Sequence, residues 1–161
     1  MRDALGRFAT GVAVITTHDG AGRPQGMTVN SLTSVSLTPP LILVCLSESA
    51  RTTKAALATG SFVASVLSER QEPLARRFAS PANDHFADLD LHYGEHLLPV
   101  IPEALAHIEC SVADVFPGGD HVILVGHVAR LCARPGQPLA FYSGKFGDYQ
   151  DRGQEPVRWF F

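Results

Sequence analysis

Cysteine is scarce in this sequence, and where it falls excludes more than its number does. Cys45, Cys110 and Cys132 are odd in count and widely spaced, so neither a disulfide framework nor a CxxC redox or metal pair is indicated. Long apolar runs are missing too. The longest, such as Leu41 to Leu46, fall far short of the ~20 residues needed to span a bilayer, so no membrane partner is expected. Arg2, Asp3 and Arg7 interrupt the stretch where a secretory signal would need an apolar segment. Nor is there a strong excess of either charge. Sixteen acids against thirteen Lys and Arg leave a net charge of −3, which argues against a surface built to hold nucleic acid or anionic lipid. With 45% hydrophobic and 18% charged residues, the balance is globular rather than disordered. The 161 residues amount to one ordinary domain, 1–161, expected in the cytoplasm.

Familiar catalytic signatures are also lacking. Gly20, Gly22 and Gly26 have the third glycine one place too late for GxGxxG, and Pro24 stands where a helix would begin. A hairpin turn is the better reading. There is no GxxxxGK[ST] and no GxSxG elbow, so a P-loop and an esterase-like nucleophile are unsupported. His92 and His96 are four apart, but Gly94 lies between them and no cysteine sits at zinc spacing; no metal site is expected.

What is present is a succession of strand signals. Residues 2–9 read as a short helix with Leu5 and Phe8 on one face. Val12 to Thr17 is rich in β-branched residues and reads as a strand. After a turn at 19–24, residues 27–37 resume as one extended segment closed by Pro39 and Pro40. Leu41 to Leu46 is a short continuous apolar run, the length of a strand buried on both faces. Thr52 to Ala58 reads as a helix ending at Gly60, and Phe62 to Leu67 as a strand. Ser68 with Gln71 three residues on opens a second helix, which carries Leu74 and Phe78. Residues 80–104 hold little periodicity and read as a long surface excursion. Two long strands, 105–116 and 121–131, flank Pro117-Gly118-Gly119-Asp120, a hairpin signal, and Leu139 to Tyr142 suggests a last strand before a polar tail. No βαβ rhythm repeats, so the pattern predicts a mainly β fold, an antiparallel barrel with a few short helices.

One polar constellation needs a partner. Thr28, Val29, Asn30, Ser31 and Ser34 precede Cys45-Leu46-Ser47-Glu48-Ser49-Ala50-Arg51-Thr52, placing hydroxyls and amides at strand ends. One reading is a ligand rich in oxygens and ring amides, its phosphate held by Arg51 at a helix start. The other is an edge strand followed by a capped helix. The pattern alone leaves both open.

These segments resemble a known family. Phe8 to Thr17, Gly26 to Ser31, Thr33 to Leu37 before Pro39-Pro40, Val44 to Leu46, Ser49 to Thr52, Leu74 to Phe78 and Gly119-Asp120-His121 recur in this order in the flavin reductase-like domain. Within it, the chain is most similar to the short-chain reductase components of two-component flavin-dependent monooxygenases. The shared pattern runs from about residue 2 to 146 and leaves 147–161 as a tail. The resemblance implies a split β-barrel of Greek-key, FMN-binding type, usually a homodimer, that reduces FMN or FAD with NADH or NADPH and supplies reduced flavin to a separate oxygenase. It implies flavin contacts from Thr28, Val29, Asn30 and Ser31, from Ser34, and from the main chain of Cys45 and Leu46. Ser49, Arg51 and Thr52 match the phosphate-holding loop, and Phe78 matches a position near the flavin. His121 together with Phe141, Tyr142, Ser143 and Gly144 matches the region where the nicotinamide nucleotide docks, with His121 positioning it. Ser143 stands where many relatives carry Arg. A non-enzymatic flavin carrier and an FMN-dependent reductase of another small acceptor are the competing functions.

Overall fold

The computed structural model of the chain describes residues 1–81, 84–94 and 97–153. His96 and the Trp159-Phe160-Phe161 end of the tail lie outside them. After α1 (Arg2–Leu5) come β1 (Thr10–Gly11), β2 (Ala13–His18), β3 (Pro24–Val29), β4 (Thr33–Leu37) and β5 (Pro40–Ser47). Then follow α2 (Arg51–Thr59), β6 (Ser61–Val66), a 3₁₀ turn (Glu69–Gln71) and α3 (Glu72–Ala79). The remainder is β7 (His92–Tyr93), β8 (Pro99–Val100), β9 (Ala106–Gly118), β10 (His121–Ala133), β11 (Leu139–Tyr142) and β12 (Lys145–Asp148).

The fold is mainly β. Its principal sheet has seven antiparallel strands in the order β3-β2-β6-β9-β10-β5-β4. The sheet's edges, β3 and β4, are consecutive in sequence but do not pair; instead β3 comes into contact with β5. Asn30–Leu32 is where the chain leaves one edge and starts the other, so residues 27–37 form two strands rather than the single one expected.

Two apolar layers share β2. Ala13 and Ile15 face a core built with Val44, Leu46, Phe62 and Leu124. Val12 and Val14 face the other way, against Ala75, Phe78, Ile101 and Leu139. The alternation of a strand thus gives β2 two buried faces, which its β-branched composition suits. In β5 the opposite holds: Ile42, Val44 and Leu46 are buried while the residues between them are partly open. The expectation of a strand buried on both faces is corrected, because β4 and β10 flank β5 in the plane and only one of its faces meets the core.

The segment 80–104 also departs from expectation. Its second half is not a surface excursion: Leu98, Val100, Ile101 and Ala104 are buried, and Thr16 Oγ1 donates to the Pro99 carbonyl. These residues cover the second face of β2 and β6. The tail begins with β12, which pairs with β11. The helix at the start is shorter than 2–9, and Leu5 and Phe8 are exposed. At 68–71 the Ser68/Gln71 pair does form a capping box, with Ser68 N–H donating to Gln71 Oε1 at 3.0 Å, but it caps the 3₁₀ turn that leads into α3.

Candidate functional site

The polar constellation lies along β3. Alternation sends Val29 to the core while Thr28 points out beside α3, where its hydroxyl donates to the Ala75 carbonyl at 2.7 Å. With its proton committed, that hydroxyl can only accept from a ligand. A cavity of about 420 Å³ opens here, lined by Gly26, Thr28, Ser49, Arg51, Thr52 and Phe78 among others. A smaller one of about 190 Å³ continues it past Thr28, Val29 and Asn30 to Phe141 and Phe146. A third, about 420 Å³, carries on from Asn30 and Phe141 to Ser143 and Gly144. Because neighbouring cavities share residues, they form one groove along β3.

The two ends of the groove differ chemically. At one end α2 begins: no side chain caps it at Ala50 and its first turn holds no acid, so its positive dipole end is not neutralised locally. Arg51 adds a cation there, and Ser49 adds a hydroxyl, which shares a 3.1 Å contact with Ser47 Oγ. Thr53 is turned inward and donates to the Ser47 carbonyl at 2.7 Å, fixing the loop against β5. This donor set suits a phosphate. At the other end the walls are aromatic, Phe141 and Phe146 meeting edge to face at 5.3 Å. Thr10, opposite Phe141 in register, has the buried side-chain oxygen that lacks a hydrogen-bond partner among the described residues. Flat apolar walls suit a ring system. A phosphorylated flavin fits the groove on both counts.

Several of the expected residues have partners within the chain or lie off this groove. Ser31 Oγ donates to the Cys45 carbonyl at 2.9 Å and accepts from Cys45 N–H at 3.1 Å, so it staples the Asn30–Leu32 corner to β5 and occupies the Cys45 main chain. Leu46 is fully buried in the core, and Ser34 is exposed on edge strand β4. Along β11 the alternation that brings Phe141 to the groove sends Tyr142 to a separate cavity with Ala140 and Lys145. Ser143 and Gly144 form the β11–β12 turn, both with positive φ (51° and 78°), as a type I′ hairpin requires.

His121 starts β10 opposite Ser47. Its Nδ1 is 2.7 Å from Asp120 Oδ1, and because a carboxylate only accepts, Nδ1 carries the proton and Nε2 is the acceptor of the neutral ring. That hydrogen bond from His121 holds the Asp120 carboxyl below its ordinary pKa. The Cys110 thiol is inert: burial, with Glu109 nearby, pushes its pKa up to about 12.

Sequence reasoning missed Phe86 and His85, which wall the groove beside Phe78. No spacing signals them, because they come from the aperiodic segment after α3. It also missed that Arg51, Lys54, Ala55 and Ala58 share one face of α2, a spacing of i, i+3, i+4 and i+7 that was readable.

Comparison with known proteins bears on this groove. The flavin reductase like domain model matches residues 5–150. A probable flavin reductase of Rhizobium meliloti (strain 1021) is 48% identical over 131 residues, covering 81% of this chain and 42% of that protein. The reductase component of a 4-nitrophenol 4-monooxygenase/4-nitrocatechol 2-monooxygenase of Rhodococcus opacus is 41% identical, covering 92% of this chain and 79% of that protein. The chain therefore spans less than half of the first relative and most of the second. Among solved structures, the NADH:FAD oxidoreductase of Streptomyces globisporus C-1027, in complex with NAD and FAD fragments, superposes with a TM-score of 0.89 at 38% identity. That superposition covers 95% of this chain and 93% of the other.

Proposed function

The chain belongs to the flavin reductase like domain family, and from that membership we propose that it is an NADH-dependent flavin reductase that hands reduced flavin to a separate oxygenase. The observation that carries the reading is the continuous groove along β3, anion-binding at its α2 end and aromatic at its β11 end. The open seven-stranded sheet is then a split β-barrel, its gap between β3 and β5 bridged by Ser31. Two chains form a homodimer in the cytoplasm.

When flavin and nicotinamide are bound, they supply the hydride acceptor and donor themselves, so the chain's work is placement. Arg51, Ser49, Thr52 and the start of α2 hold the phosphate. Thr28 accepts a hydrogen bond, Val29, Phe78 and Phe141 bound the ring system, and Asn30 offers an amide at its far side. The Ser31 staple keeps that corner in place. His121 offers Nε2 to the nicotinamide carboxamide, and the Ser143–Gly144 turn lines the groove's outer end.

Rapid mixing of flavin-loaded protein with NADH, then with NADPH, tests this reading. Reduction much faster than that of free flavin is expected with NADH, and His121→Ala should slow it while leaving flavin affinity nearly unchanged. Wild-type reduction no faster than in free solution would leave a flavin carrier instead.

A further inference from the structure

Behind the groove wall, residues 98–104 lie over β2 and β6. Leu98 and Val100 pack against Val63, and Ile101 and Ala104 share an apolar cluster with Val12, Val14 and Phe78. The strand in this stretch, β8, pairs with β7 and not with the seven-stranded sheet. Three side chains from below tie its main chain down instead. Thr16 Oγ1 donates to the Pro99 carbonyl, Gln71 Nε2 donates to the Pro102 carbonyl at 2.7 Å, and Ser65 Oγ accepts from Ile101 N–H at 3.4 Å. Among the described residues, Ser65 is the one of these three that also meets a titratable group, His107 Nδ1 at 3.3 Å. We propose that 98–104 is a proton-sensitive cover: protonation of His107 on β9 loosens it, and the flavin groove, whose walls it backs, weakens its hold on the ring system. The inference rests on the flavin-binding reading above and adds how proton concentration regulates that site.

Ser65 is fully buried, and its hydroxyl has a single proton to place. The oxygen accepts from Ile101 N–H, so that proton goes to the neighbouring Nδ1, and the neutral His107 ring carries its own proton on Nε2. Charging the ring puts a proton on Nδ1 as well. Ser65 can then accept from both neighbours, but its own proton loses its acceptor, and a buried donor without a partner is costly. The surrounding charges act in the same direction on balance. Arg134, just past the end of β10, and His92, paired with Val100 on β7, disfavour a cation on His107, while Glu109, two residues along β9, favours it. Cys132 stands opposite His107 in register, and Arg130 opposite Glu109. Burial above all, then Arg134, lowers the His107 pKa from 6.5. The neutral ring therefore belongs to the closed cover, whose full stability is present above 6.5 and is lost as pH falls through the lowered value. The link to the groove is apolar. Phe78 shares its cluster with Ile101 and Ala104, and Phe86 and Phe141 pack against that cluster. The same three rings line the groove, so a cover that lifts removes their backing.

Hydrogen exchange at the Ile101 amide and riboflavin binding, each at about pH 5.5 and 7.5, test the cover and its link to the groove separately. Riboflavin is the probe because it lacks the phosphate of FMN, whose second ionisation near about pH 6 would add a pH dependence of its own. In wild type, Ile101 protection, corrected for the intrinsic exchange rate, is expected to fall about tenfold at the lower pH, and riboflavin affinity about threefold. His107→Gln keeps an acceptor for the Ser65 hydroxyl but cannot take up a charge, so both quantities should change less than about twofold. His85, which lines the groove, and His121 are retained in that variant, so a pH dependence that came from them would survive. In Ser65→Ala the tie is gone at any pH, and Ile101 protection should be low at both values. Equal falls in wild type and His107→Gln, or an undiminished fall in Ser65→Ala, would overturn the cover. An NMR titration of the wild-type His107 ring needs no variant. Saturating riboflavin should lower its pKa further, and an unchanged value would break the link to the groove. Failure of both riboflavin and FMN to bind at either pH would remove the flavin groove and that link with it, while the exchange data would still decide the cover.

Discussion

Single hydroxyls and one histidine carry specific loads here. Ser31 is the clearest case. Its oxygen satisfies both Cys45 main-chain groups at 2.9 and 3.1 Å, so Ser31→Ala leaves a donor and an acceptor without their partner. The expected loss is about 1–3 kcal/mol in urea unfolding, with flavin affinity falling as well because Asn30 rides on the same corner. An unchanged midpoint would mean that water replaces the hydroxyl. His107 is half-buried on β9, 3.3 Å from Ser65 Oγ, with Glu109, His92 and Arg134 around it. Burial and then Arg134 lower its pKa from the usual 6.5. Between the lowered value and 6.5 the unfolded chain binds the proton and the folded chain does not, so stability rises with pH across that window and is lost as pH falls through it. Urea midpoints at about pH 5.5 and 7.5 should therefore differ more for wild type than for His107→Gln. Equal differences would remove His107 as the source.

Among the elements, the β9–β10 hairpin and α3 show how packing decides what local sequence leaves open. The hairpin was legible: Gly119, with φ 73°, takes the left-handed conformation the turn needs. Gly126, by contrast, is a glycine in mid-strand, and only the packing explains it. A Cβ there would lie 2.7 Å from the Phe62 ring and 2.9 Å from Cys110 Cβ, so β10 can cross the core only without a side chain at that point. Gly126→Ala is expected to cost about 1–3 kcal/mol by overpacking, read as a fall in the thermal midpoint with the fold retained. A neutral result would show that Phe62 can move aside. α3 was visible from Leu74 and Phe78 and from the capping box of the 3₁₀ turn that leads into it, yet its place as one wall of the groove depends on Phe86 returning against it, which no periodicity announces.

At the scale of the whole molecule, apolar side chains remain uncovered on β4 (Val35, Leu37) and on the outer part of β9 (Val115, Phe116). β4 is also a sheet edge, and an apolar edge strand invites pairing or covering. A homodimer would bury such a surface, and sedimentation should show twice the 17.3 kDa chain mass, with Phe116→Glu shifting the protein toward monomer. A wild-type monomer at micromolar concentration would contradict it. By itself the sequence determined the β character, the long hairpin, both longer helices and the polar cluster that leads into α2, because period, turn glycines and a helix start are local signals. Only the tertiary structure decided that the Thr28 hydroxyl met the groove while that of Ser31, three residues on, became a staple, since that turns on the corner at Asn30–Leu32 where the chain changes sheet edges. It also decided that Phe141 faces the groove and Tyr142 does not, and that 98–104 covers β2. Those are contacts between residues far apart in the chain, and their geometry exists only once both faces of β2 have been buried.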